Sequence, residues 1–298
     1  MPLHLYTFPF KALGSSCEVQ LYHTGKLPDL ARTIAAEVER KVSDVERRYS
    51  RYRDESIVSR INARAGGEAI EVDPETADLL DYAGSAFEQS GGVFDITSGV
   101  LRRVWNFKHP RVPQQDEIRE MLKLVGWDKV EWHRPLIRLK LPGMELDFGG
   151  FGKEYCVDAA VSVLMKHGVS NALVNLGGDV RVLGGHPDGR PWSIGIAHPR
   201  RAGETAASLE LKSGALATSG DYERYFEVDG HRYCHILNPK TGWPADGFQS
   251  VTVCSDLCLV AGTVSTTAML LGEGAGLEFL RSSGVQFLSI NKRGETVV

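Results

Sequence analysis

The residues that suggest chemistry are a lysine, a histidine and several aspartates, each set among glycines and hydroxyls. Lys153 closes "LDFGGFGK", downstream of Asp147, and His235 opens "HILNPKTGWP". The second stretch packs an amide, two prolines, a lysine and a threonine beside a Gly-Trp pair. It is too broken for a helix and too polar for a buried strand. "GGVFDITSG", "VNLGGDV" and "ATSGDYERYF" are of the same kind. A single glycine cluster is ordinarily a turn. Five of them, each with Asp, Asn, Lys, Thr or Ser, combine freed backbone amides, hydroxyls and a cation, which suits a phosphate-bearing ligand.

Named nucleotide and hydrolase motifs fit poorly. "DFGGFGK" has the outline of a P-loop, but Asp147 stands where its first glycine belongs and Glu154 where it needs Ser or Thr. No GxGxxG opens a helix after the first strand, and there is no GxSxG nucleophile elbow; Ser219 has the wrong flanks for one.

The elements that must position these stretches are legible from periodicity. "HLYTFPFKALGSSCEVQLYHTG" has two alternating runs about a Gly-Ser-Ser break and predicts a hairpin. Leu27, Leu30, Ile34, Val38, Val42, Val45 and Tyr49 recur three to four apart, one face of a long helix. A second helix is expected from Asp73-Pro74, capped and proline-started, to Gly91-Gly92. A third carries Val157 to Met165 and stops at His167-Gly168. Short alternating runs follow, then helical segments over Leu259–Leu271 and Gly276–Arg281 and a last strand at "VQFLSI". Partial segregation of helices and strands, with hairpin turns such as "VDGHR", predicts an α+β fold on a largely antiparallel or mixed sheet. No Pro/Ser-rich linker appears, so residues 1–298 read as a single domain.

Composition bounds the rest. A chain of 298 residues, 42% hydrophobic and 24% charged, can bury a sizeable core. Its net charge of -4 gives no global attraction for nucleic acid, and the basic runs "ERRYSRYR" and "LRRVW" read as solvated helix faces or ends. Five cysteines without a CxxC pair argue against a zinc knuckle or a disulfide framework. There is no membrane-span-length apolar run, and "MPLHLYTFPFKALG" carries neither a basic region before an apolar run nor a lipobox cysteine. The expectation is a reduced, cytoplasmic protein.

In chain order over nearly the whole length, the stretches resemble the ApbE family, the FAD:protein FMN transferases. "ALGSSCEVQLY", "RRYSRYRDESIVSRIN", "GGVFDITSGVL", "LDFGGFGKEYCVD", "VNLGGDVRVLG", "ATSGDYERYF", "HILNPKTGWP" and "SVTV" before a small-residue helix form the ordered set. The resemblance implies FAD as substrate and Mg2+ as helper, with FMN moved to a Ser or Thr hydroxyl of an acceptor protein and AMP released. It places Leu13, Tyr52, Val93, Phe94, Asp95, Asp147, Lys153 and His235 against FAD. Lys153 and glycine amides would offset the diphosphate charge. Tyr52 or Phe94 would stack on a planar ring. His235 would serve either as base for the acceptor hydroxyl or as ligand contact alone.

The same resemblance puts the metal at the Gly150 carbonyl, at Thr266, and at an Asp whose position here is Gly262. A magnesium site usually takes one or two carboxylates, so the departure predicts weakened binding of metal alone. Glu154 stands where the family commonly has glycine. Three outcomes are open: a substitute carboxylate from Glu154 or Asp256, metal held only together with FAD, or a protein that binds FAD without transferring FMN. An FAD pyrophosphatase, with water as nucleophile, is the further alternative. Glu154 by itself is expected to be a solvent-facing first-turn helix residue, favoured by the helix dipole.

Overall fold

The computed structural model describes residues 3–24 and 28–298. Two long strands, β1 (Leu3–Ala12) and β2 (Ser15–Thr24), form the expected hairpin. Its turn is Leu13-Gly14, both at positive φ (55° and 68°), the mirror-image geometry that matches strand twist. The Leu13 amide donates to Glu46 Oε2 (3.1 Å), which ties this left-handed leucine to α1 (Pro28–Tyr49). Ile34, Val38, Val42, Val45 and Tyr49 are buried along α1 as the spacing predicts; Leu27 lies outside the described residues. Next come α2 (Ile57–Ala63), β3 (Ile70–Glu71) and α3 (Pro74–Gln89). The Asp73 side chain accepts from the Glu75 and Thr76 amides, the cap its sequence announced.

A 3-10 segment over Ile96–Arg103, α4 (Gln115–Leu122) and strands β4 (Val130–His133) and β5 (Leu136–Leu139) follow. They lead into α5 (Gly152–Lys166), then β6 (Ala172–Leu176), β7 (Asp179–Leu183), β8 (Trp192–Ala197), β9 (Thr205–Leu211) and β10 (Gly214–Gly220). The chain closes with β11 (Tyr225–Val228), β12 (His231–Cys234), β13 (Phe248–Ser255), α6 (Cys258–Leu271), α7 (Glu273–Ser282), β14 (Gln286–Asn291) and β15 (Thr296–Val297).

One eight-stranded sheet, in the order β1-β2-β6-β7-β10-β13-β14-β15, organises the molecule, and each of its pairings is antiparallel. Alternation along the strands feeds two cores. Val174, Leu176, Ala217, Val251 and Val253 face the cluster that holds α1, α5 and α6. Leu173, Val180, Val182 and Leu216 face the β8–β9 hairpin through Trp192, Ile194 and Ile196. The α+β expectation holds, with the sheet antiparallel rather than mixed. "ATSG", which reads as part of a polar glycine loop, is instead the end of β10, between β7 and β13. Small residues there let α6, itself rich in Gly, Ala, Ser and Thr, pack directly on the strand. No described helix is long and apolar enough to cross a membrane.

Candidate active site

Arg51, just past α1, pairs with Asp147 through Nη1 and Oδ2. Two residues of α2 hold this pair in place. Ser59 Oγ donates to the Arg51 carbonyl (3.4 Å), and Asn62 bonds both the carbonyl (2.9 Å) and the amide (2.7 Å) of Leu146. Asp147 also accepts from the Gly149 amide (2.9 Å), folding the "DFGG" turn over its own carboxylate. Burial alone would strip Arg51 of its proton more easily, but the Asp147 charge, together with Tyr52 and Glu145, outweighs it and keeps the guanidinium cationic. Arg51 belongs to a run expected to be a solvated helix face. Arg47 is that, pairing with Asp44 in the open, whereas Arg51 turns inward.

Lys153 sits in the first turn of α5 and reaches Asp179 Oδ2 (2.6 Å) at the head of β7. Asp179 is buried, and Lys153 is the cation that offsets it. Although desolvation opposes it, the carboxylate raises Lys153 above its ordinary range, so the amine stays charged. The β6–β7 turn is Gly177-Gly178, with φ of 62° and 98°. A Cβ on Gly177 would stand 2.7 Å from that of Ser15, so only glycine lets this turn meet the β1–β2 hairpin. Ser15, Gly177 and Lys153 thereby come together, with Lys153 Nζ 3.4 Å from the Gly177 carbonyl.

His235 follows β12, its amide bonded to the Arg224 carbonyl (3.0 Å) across the β11–β12 hairpin. Its ring Nδ1 lies 3.2 Å from the same oxygen. A carbonyl only accepts, so Nδ1 carries the proton and Nε2 is the free acceptor. Burial, then the positive charges of Arg224, Lys153 and Arg51, hold this imidazole down to about 4. Three cations therefore act on one histidine. Arg51 and Arg224 are the site residues that sequence reading missed; Arg224 lies inside the quoted "ATSGDYERYF", the one signal that pointed to it. Beyond His235, Asn238 organises the loop: its Oδ1 accepts from the Lys240 and Thr241 amides (2.9 and 3.2 Å) and its Nδ2 donates to the Leu270 carbonyl (3.0 Å). Trp105 Nε1 donates to the Gly242 carbonyl (2.7 Å) from below. "HILNPKTGWP" is thus a braced wall.

The side chains of three expected contact residues are engaged within the protein. Phe94 is 3% exposed and packs on Phe151 (ring centroids 6.3 Å apart), so it offers no face for stacking. Val93 is likewise buried. The Asp95 carboxylate accepts from the Thr97 amide and hydroxyl (2.8 and 2.7 Å) and from the Trp127 amide (3.1 Å). These bonds fix the loop. Tyr52, by contrast, is 74% exposed, with the Arg51 guanidinium 5.0 Å from its ring centroid. It is the open aromatic face.

Of the expected oxygen donors, Thr266 lies on α6 and Gly150 in the turn before α5. Gly150 rests on the Phe94 ring (3.3 Å from a built Cβ), and Thr266 Oγ1 meets Ser219 Oγ (2.8 Å), which also meets Ser265 Oγ (2.8 Å). Glu154 overturns the expectation of a solvent-facing residue: it is 9% exposed, and its Oε2 is buried without a hydrogen-bond partner. The cause is Gly262, which has no side chain to fill the space between α5 and α6. A Cβ built on Gly262 lies 2.5 Å from Glu154 Cγ and 2.6 Å from Oε1. Burial, then the neighbouring Asp179 charge, push the Glu154 carboxyl well above the carboxylate range. Asp256 is exposed and lies outside α6, two residues before its first residue, Cys258. Among the described residues no group of three or more His, Cys, Asp or Glu could hold a metal. Any cation here must take a mixed set of carboxylate, hydroxyl and carbonyl oxygens, which Mg2+ accepts.

Comparison with known proteins agrees with this arrangement. The model of the ApbE family matches residues 13–289. The FAD:protein FMN transferase of Vibrio cholerae is 30% identical over 286 residues, 94% of this chain and 85% of that protein. The crystal structure of the ApbE protein of Thermotoga maritima superposes with a TM-score of 0.90 at 34% identity, covering 99% of this chain and 96% of the other. The apo flavinyl transferase ApbE of Pseudomonas stutzeri gives 0.88 at 30%, covering 99% and 93%. With a family match over nearly its full length and the antiparallel fold shared with solved members, this chain belongs to the ApbE family.

Proposed function

We propose that this protein is an FAD:protein FMN transferase that moves the FMN half of FAD to a Ser or Thr hydroxyl of an acceptor protein. The observation that carries the reading is Lys153 at the two-glycine turn, its Nζ 3.4 Å from the Gly177 carbonyl, with the charges of Arg224, Lys153 and Arg51 all lowering the His235 imidazole. Three cations about one uncharged imidazole make a place for concentrated negative charge, and a dinucleotide's diphosphate supplies it. Lys153 and the Gly177-Gly178 turn would cradle the phosphates, Arg51 and Asp147 would flank them, and Tyr52 would cover a planar ring. Leu13, in the turn of the β1–β2 hairpin, would line the pocket with its side chain, and Val93, Phe94 and Asp95 would support the wall.

In the transfer, the acceptor hydroxyl oxygen bonds to the FMN phosphorus, the bridging P–O bond breaks, and AMP leaves with the electron pair. The hydroxyl proton passes to His235 Nε2, the unprotonated nitrogen. Its basicity is low beside these cations, and it rises when the diphosphate adds negative charge. The Gly150 carbonyl and the Thr266 hydroxyl would hold Mg2+, which when bound neutralises charge on the phosphate oxygens. The free state of all five cysteines fits a reducing, cytoplasmic setting.

Purified protein, FAD, Mg2+ and an acceptor carrying a Ser/Thr flavinylation site test the reading directly. In-gel flavin fluorescence on the acceptor is the expected result. FMN and AMP released without label would make the protein an FAD pyrophosphatase. Intact FAD in a bound complex would make it a flavin binder.

A further inference from the structure

We infer that Glu154 supplies the carboxylate of a divalent-cation site whose hydroxyl donor is Thr266. Glu154 reaches from α5 into the space where a side chain on Gly262 would stand, its Cγ, Oε1 and Cδ lying 2.5, 2.6 and 2.7 Å from a Cβ built there. Gly262 and Thr266 are four residues apart on α6, so they share a face and lie about 6 Å apart along the axis. The carboxylate therefore presents itself to α6 on the face that carries the Thr266 hydroxyl. A carboxylate from α5 thus occupies the space that a side chain at position 262 of α6 would take.

Two observations say that this acid is there for a cation. Its Oε2 is buried and has no partner, a costly arrangement that packing alone does not repay. Moreover, Glu154 and Asp179 are two buried carboxylates beside a single ammonium, Lys153, which is already engaged by Asp179. The buried cluster carries one more carboxylate than cation. A dication bound through Glu154, Thr266 and phosphate or water oxygens would give Glu154 Oε2 its partner, and the oxygen-only donor set selects Mg2+ or Mn2+ over softer metals.

The inference rests on the reading above that a metal ion accompanies the diphosphate, but its test needs no flavin. Mn2+ alone is titrated into the purified full chain, and free Mn2+ is followed by electron paramagnetic resonance. Wild-type protein is expected to bind, E154Q to bind at least tenfold more weakly, and the swap E154G/G262D to return to within a few-fold of wild type. Thermal melts separate this from a structural role: without metal E154Q melts no lower than wild type, and with Mn2+ only wild type and the swap gain several degrees. An affinity of E154Q within threefold of wild type overturns the inference, including the case in which neither binds. So does a folded swap variant that fails to recover. A wild-type enzyme that labels its acceptor while E154Q binds Mn2+ normally defeats this inference alone. Mn2+ bound through Glu154 beside intact FAD defeats the reading of function alone.

Discussion

Glu154 and Asp158 stand one turn apart on the same helix, both buried, both facing α6, and they are built for opposite purposes. Every oxygen of Asp158 is employed. Oδ1 accepts from Arg181 Nη1 (2.9 Å) and the Cys258 amide (3.0 Å), and Oδ2 accepts from the Leu259 amide (2.9 Å). It caps α6 from outside the helix, a duty that Leu257, the residue before α6, cannot perform with its own side chain. Glu154 reaches the same helix one turn further along and finds Gly262, with no donor for its Oε2. The difference separates a carboxylate that holds the fold from one that awaits a partner.

The sharpest way to break the comparison is to remove each acid. Asp158→Ala leaves Arg181 unpaired and the α6 N-terminus uncapped, so a loss of about 3–4 kcal/mol is expected in a urea titration. Glu154→Gln in metal-free protein is expected to cost nothing, since it replaces a buried, unpaired carboxyl with a neutral amide of the same shape. Equal losses would show that Glu154 too is structural.

His235 extends the contrast to pH. Its folded value of about 4 lies below the 6.5 of an ordinary histidine. Between these values the unfolded chain takes up a proton that the folded chain refuses. Stability is therefore complete above about pH 6.5 and falls as pH drops toward 4, by on the order of 2 kcal/mol allowing for partial exposure. His235→Gln should flatten this slope in melts taken from pH 7 to pH 4. Bound FAD should shrink it as well, because its phosphates offset the cations that depress the imidazole.

What the sequence revealed and what it hid follow the same division. Periodicity located α1, α3, α5, α6 and most strands of the large sheet, because burial imposes a rhythm on apolar residues that needs no knowledge of partners. The Asp73 cap and the stop at Gly91-Gly92 were legible for the same local reason. Strand β10 was not, because its small polar residues are chosen to fit α6. Arg51 was hidden in a basic run whose other members are solvated. Glu154 was misjudged because its first-turn position favours an exposed acid on any helix, and only the absence of a side chain at Gly262, more than a hundred residues away, draws it inside. Phe94 and Asp95 belong to a motif that reads as ligand contact, yet their side chains stabilise the loop; sequence alone cannot tell a wall from its buttress.

Arg51 and Tyr52 sharpen the comparison with smaller effects, since neither holds the core. Arg51→Ala removes one of the three cations about His235 and frees Asp147, so FAD affinity is expected to fall about tenfold by calorimetry, roughly 1.4 kcal/mol. Tyr52→Ala should leave the melting curve unmoved, because a ring 74% exposed contributes little to the folded state. Its effect should appear only with ligand: the lost aromatic face costs about 1 kcal/mol of FAD affinity, while riboflavin-free AMP binds unchanged if the isoalloxazine is what Tyr52 covers. A fall in AMP affinity as well would move Tyr52 to the adenine end. An unchanged affinity for both would return it to the status of an ordinary surface residue, and Arg51 would then have to bind FAD without its neighbour.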